Sequence, residues 1–228
     1  MSASSLYRLS GLALVLGSLL FAVGNLMHPL EHSVSAQAKP TWEAAHITFM
    51  IGGIIMVLGL PGAYLRQSLR AGRLGLIGLV VLVIGLIGIA PSSWYEAFVV
   101  NPIGPDLADK IEGGAGGTFN AIAGLFLVFG PFLFGVATWR AKVFARYAAF
   151  ASVLSTPILL VLGGLPGKTG GAAIIFGTVV FSVAYAWIGF ELVNGAPAAA
   201  EAPSGGAEAT PGIDAAVNQA TPQLSRVA

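Results

Sequence analysis

The sequence predicts an all-α integral membrane protein, six transmembrane helices in a compact bundle. Three observations carry this. Hydrophobic residues make up 56% of the 228-residue chain and charged ones only 9%, whereas a soluble domain carries roughly 25% charged residues to face water. Mean hydropathy is +0.83. Six stretches, 9–27, 47–65, 74–90, 113–139, 147–165 and 169–190, hold no Asp, Glu, Lys or Arg. Each approaches the roughly 20 residues that a helix needs to cross about 30 Å of hydrocarbon. Solid apolar runs, rather than period-2 alternation, exclude barrel strands.

The first helix, 9–27, starts after Arg8 and ends at His28 and Pro29. Its apolar run exceeds the roughly 7–15 residues of a signal-peptide core, and the AQA at 36–38 comes late for a cleavage site, so an uncleaved helix is expected. The second, about 44–65, opens behind Trp42 and Glu43; the third, 74–90, follows Arg73 and meets Pro91. Between the third and fourth lies "PSSWYEAFVVNPIGPDLADKIE". Its "SSWYEAFVV" suits a short interfacial helix, and "PDLADKIE" is a helix-start signal. Interfacial anchoring is the expected role; the alternative is a lid bringing Glu96 or Asp106 near the histidines. Pro131 and Pro157 fall inside the fourth and fifth helices, 113–139 and 147–165, and are expected to kink them. The sixth, 169–190, completes a transmembrane domain of residues 1–193. Residues 194–228, rich in Ala, Pro and Gly, are expected to form a disordered cytoplasmic tail.

Orientation follows from the cations. Eight of the eleven Lys and Arg residues (Arg8, Arg66, Arg70, Arg73, Arg140, Lys142, Arg146, Arg226) fall on one side, and Lys39, Lys110 and Lys168 on the other. The richer side is expected in the cytoplasm, with both termini. This describes a multi-pass cell-membrane protein of the bacterial type. A weak repeat is also legible: three segments begin at Arg8, Arg73 and Arg146 and end at Pro29, Pro91 and Pro166. They are compatible with three copies of a two-helix hairpin, although any outward helix favours a cationic anchor and a proline stop.

Glycine is abundant, 31 residues. Gly113 with Gly117, and Gly163, Gly167 and Gly171, form GxxxG spacings that let helices approach closely in lipid; intramolecular packing is expected ahead of a dimer face. Asn25 and Asn120 are amides within spans and are expected to make interhelical hydrogen bonds.

All three histidines lie between positions 28 and 46. His28 ends the first helix and His46 begins the second, so a hairpin brings them to similar depth with His32, Glu31 and Glu43 above. The first expectation is incidental: polar residues settle at a membrane edge. The alternative is a site in which His28 and His46, with His32, Glu31 or Glu43, hold haem or a divalent transition metal. No cysteine is present, which excludes thiolate metal sites and disulfides. The net charge of +1 offers no field for nucleic acid. No ionisable residue lies within a predicted span, against ion-coupled transport, and no catalytic motif is present. Function is therefore read as a non-enzymatic accessory subunit, or a binder of a lipid or apolar small molecule; partners are membrane lipid and a membrane protein or second copy. The alternative is a membrane redox or metal protein with His28 and His46 as ligands.

Overall fold

Arg66–Arg73, "RQSLRAGR", is made almost wholly of good helix formers, and it determines the main departure from expectation. In the computed structural model, which describes residues 3–195, the second and third stretches belong to one element, α3 (Pro40–Phe98), interrupted only at Gly72 (φ 57°, ψ −152°). A connecting loop expected from its arginines is helical instead. Glycine alone enters that backbone region without a Cβ clash, so the reversal takes one residue. The two arms, 40–71 and 73–98, run antiparallel: Trp42 bonds Glu96, and Gly53 faces Leu86.

The other elements are α1 (Ala3–Met27), α2 (Val34–Gln37), α4 (Val100–Ile103), α5 (Pro105–Glu112), α6 (Ala115–Ala141), α7 (Arg146–Pro157) and α8 (Gly167–Asn194). Among the described residues the chain is all-helical, without strands. Four helices, Ser4–Met27, Pro40–Phe98, Ala115–Ala141 and Gly167–Asn194, are long and apolar enough to cross a membrane; Arg146–Leu162 is shorter. The tail 196–228, with its expected disorder and Arg226, lies outside the described residues.

Sequence neighbours are spatial neighbours. α1 packs on α3, α3 on α6, α6 on α7, α7 on α8, and α8 closes back on α1. Small residues let the backbones meet. A Cβ on Gly52 would strike the Phe21 backbone, one on Gly78 the Phe134 backbone, and a Cβ on Gly11 or Gly189 would stand 2.6 or 2.7 Å from the other's carbonyl oxygen. These glycines lie outside the spaced set, of which Gly163 and Gly171 also meet neighbouring segments, at Ile174 and Leu30. Gly113 and Gly117 sit at the α5–α6 turn against the Asp109 and Glu112 carbonyls, Gly163 follows the α7 rod, Gly167 (φ 63°) opens α8, and Gly171 abuts the Leu30 backbone.

The packing is inside-out for a water-soluble chain. Leu9, Leu12, Leu16, Leu19, Val23 and Leu26 form an exposed stripe along α1, while Leu14 and Phe21 point inward. The inner cluster of Leu14, Leu60, Phe134, Phe181, Tyr185 and Ile188 fills the half of the ring nearest Gly72. That half is also pinned by polar bonds. Gln67 Nε2 donates to Thr138 Oγ1 (2.9 Å), Arg66 donates to the Glu191 carbonyl (3.2 Å), and Ala145 N–H and Trp187 Nε1 both donate to the Glu191 carboxylate (3.1 and 2.7 Å).

The two mid-helix prolines act differently. α6 continues through Pro131, and α7 hydroxyls bond carbonyls around that turn: Ser152 donates to Pro131 O (2.9 Å) and Thr156 to Val128 O (2.8 Å). After Pro157 the rod widens into a π turn, Ile158–Leu162, closed by Gly163 N–H on Ile158 O (3.0 Å). A missing proline N–H leaves the regular ladder broken there.

Candidate metal centre

The end of the ring away from Gly72 is built differently. α1 stops at Met27; His28 follows in a turn whose N–H bonds Asn25 O (3.2 Å), and Pro29 cannot continue the helix. His32 stands just before α2, whose N-cap Ser33 accepts from Ala36 N–H (3.2 Å). His46 lies one turn after Trp42 on the first arm of α3, a spacing that puts both on one face. The result brings together what the sequence had only placed at similar depth. The ligand nitrogens of His28, His32 and His46 all lie within 4.8 Å of one another.

Trp42, fully buried, is the platform. Its ring lies 5.4, 4.9 and 4.6 Å from the rings of His28, His32 and His46, and its Nε1 donates to the Glu96 carbonyl at 2.9 Å. This bond ties the two arms of α3 together at their open ends.

The hydrogen bonds fix two tautomers. His28 Nδ1 is 2.8 Å from Pro29 O and His46 Nδ1 is 2.8 Å from Trp42 O. A carbonyl only accepts, so each Nδ1 carries the proton and each Nε2 presents its lone pair. This is the outer-sphere pattern found behind metal-bound histidines. Burial holds the His28 imidazole below its ordinary value. His32 keeps an exposed edge, yet its surroundings and the neighbouring His28 charge lower it to about 4. Both are therefore neutral, as ligands must be.

Glu31 and Glu43 do not join the triad; both are exposed, and a Cβ on Gly167 would lie 3.2 Å from the Glu31 carboxylate. Beneath the histidines is a cavity of about 400 Å³ bounded by α1, both arms of α3, α6, the π turn and α8. Asn25 and Asn120 both line it, although Asn25 spends its amide on Phe21 O (2.8 Å) within its own helix. Glu96 lines it too, with Oε2 buried and without a partner; Asp106 does not reach it. Beside it a second cavity is walled by Tyr95, Glu96, Ile111 and Glu112. Asn101 Nδ2 donates to Gln37 O (2.9 Å), so the 99–112 segment is fastened to the histidine hairpin.

Sequence reasoning placed Trp42 only at the opening of the second helix and missed its ring contacts with all three histidines. The Trp-x-x-x-His spacing was the available signal. The chain matches no protein-family model, no curated protein and no solved structure.

Proposed function

We propose that this chain is a multi-pass integral membrane protein carrying a three-imidazole transition-metal centre on His28, His32 and His46. The supporting observation is the triad itself: three ligand nitrogens within 4.8 Å, two of them with Nδ1 committed to backbone carbonyls. Zinc bonds of about 2.0–2.1 Å put tetrahedral nitrogens about 3.3 Å apart. Closing that gap takes movements of about 1–1.5 Å by His28 and His32 on either side of Pro29. Three neutral imidazoles suit zinc, copper or iron and leave a coordination position open. A compact ion fits better than haem, because the His28 and His46 rings meet edge-to-face at 4.9 Å, with no slot for a macrocycle between them.

The membrane setting is part of this proposal. The two arms of α3 serve as two spans and Arg146–Leu162 as the fifth of six, with the Arg-to-Pro segments as the outward member of three hairpins. The basic end, holding Arg66, Arg70 and Arg140, faces the cytoplasm by the positive-inside rule; the histidines then face outward. The cavity also supports the reading as a binder of a lipid or apolar small molecule, since Phe21, Phe49, Leu127 and Ile174 line it.

Metal analysis of the protein purified without an affinity tag tests the centre, followed by Co(II) substitution. About one ion per chain is expected, lost in His46→Ala and His28→Ala. A chain that binds no first-row metal above micromolar affinity, with both variants identical to the parent, refutes it.

A further inference from the structure

The cavity is graded from polar to apolar along its depth. On four of the segments that line it, the polar group stands at the histidine end and the apolar group lies deeper. On α1 it is Asn25 over Phe21; on the first arm of α3, His46 over Phe49; on the second, Glu96 over Ile89; on α6, Asn120 over Leu127. The deeper hydroxyl, Thr178, is consumed by its own helix, donating to Ile174 O and Ile175 O (2.9 and 2.8 Å). A wholly apolar ligand would leave the upper groups dry and unpaired, and a wholly polar one would waste the lower wall.

Glu96 supplies a second observation. A buried oxygen without a partner is rare, since leaving it so costs a full desolvation penalty. Glu96 Oε2 is such an atom, on a side chain that lines the same cavity as the triad. It needs a donor, and no group among the described residues provides one.

Resting on the metal centre above, we propose that the open coordination position faces this cavity and takes a single-chain amphiphile. Its head offers a carbonyl-type oxygen to the metal and an adjacent N–H or O–H to Glu96. Its alkyl tail runs down between α6 and α8 toward Leu127 and Ile174. Gly124, at the cavity wall, has nothing within 4 Å of where a Cβ would stand, so the tail has free depth beside α6.

Alkyl hydroxamates carry this head, so the test titrates the Co(II)-loaded full chain with acetyl, butyryl, hexanoyl and octanoyl hydroxamate, reading the cobalt visible spectrum. Burial of each methylene strengthens binding by roughly fourfold, giving a gain of at least about a hundredfold from acetyl to octanoyl. Gly124→Phe fills the lower cavity: octanoyl binding falls to the acetyl level while acetyl binding stays within about threefold. Glu96→Leu weakens every member by roughly tenfold without loss of cobalt. Equal affinity across the series, with cobalt bound, overturns the amphiphile and leaves the metal centre standing. A chain-length gain that survives Gly124→Phe also overturns it, because the tail then lies elsewhere, as in the micelle. Absence of cobalt binding overturns the centre and the amphiphile together.

Discussion

The two ends of the ring are made from the same helices and packed by opposite rules. Near Gly72, Leu60, Phe134, Tyr185 and Ile188 are fully buried, and polar groups are bonded across helices, Gln67 Nε2 to Thr138 and Arg66 to Glu191, with Gln67 Oε1 buried there without a partner. At the histidine end the same rods diverge around a 400 Å³ cavity, and Tyr95 and Glu96 keep buried oxygens without partners. Empty volume lowers stability, and it is the cavity that sets this end apart. One end thus holds the ring closed, and the other gives up packing for a site. This division is where function is expected, because stored cost collects at binding sites.

The sharpest way to break the contrast is a single methyl-bearing side chain at each end of the scale. Gly78→Leu, against the Phe134 backbone near Gly72, is expected to cost about 3 kcal/mol or to abolish folding, whereas Gly124→Leu shifts the melting temperature in detergent by no more than about 2 °C. If both are equally harmful, the histidine end is not open.

Metal should strengthen only the open end. At zinc a hundredfold above its dissociation constant, stability rises by about 2.7 kcal/mol, and His46→Ala removes the whole gain. A rise that persists in His46→Ala places the ion elsewhere.

The sealed end is sharpened by a smaller pair of changes. Thr138→Val strands the buried Gln67 amide and is expected to cost about 1 kcal/mol; adding Gln67→Leu recovers most of it. Urea or thermal unfolding of the three variants reads this directly.

Acid gives the smallest effect, confined to the metal-free histidine end. His28 and His32 titrate lower in the fold than their ordinary 6.5, His32 at about 4. The unfolded chain therefore binds more protons between pH 6.5 and 4, so stability falls as pH drops through that window. His32→Ala should flatten the slope there. An unchanged slope assigns the acid sensitivity to other groups.

Much of this was legible in the residues. Charge-free runs mark the helices, and "PDLADKIE" marks α5 with its proline and acids at the start. The link at 66–73 was not, because its arginines suggest a loop, while only Gly72 leaves helical geometry. At the site, the sequence raised the three histidines that cluster in the fold and the alternative that Glu96 comes near them. It offered Glu31 and Glu43 equally, since a carboxylate's letter carries no direction; both point away. The Nδ1 bonds to Pro29 and Trp42 depend on side-chain rotamers, and the cavity depends on how far α6 and α8 diverge. Neither has a pattern along the chain.

The one-residue reversal at Gly72 imposes a rule on how this chain can change its length. With no slack between the arms, a residue inserted in either arm rotates everything beyond it by about 100° and advances it about 1.5 Å. Trp42 and Glu96 would then no longer meet, and the imidazole of His46 would turn out of the cluster. Insertions in 40–71 must therefore be matched in 73–98, so lineages of this fold should show paired length changes there, or none.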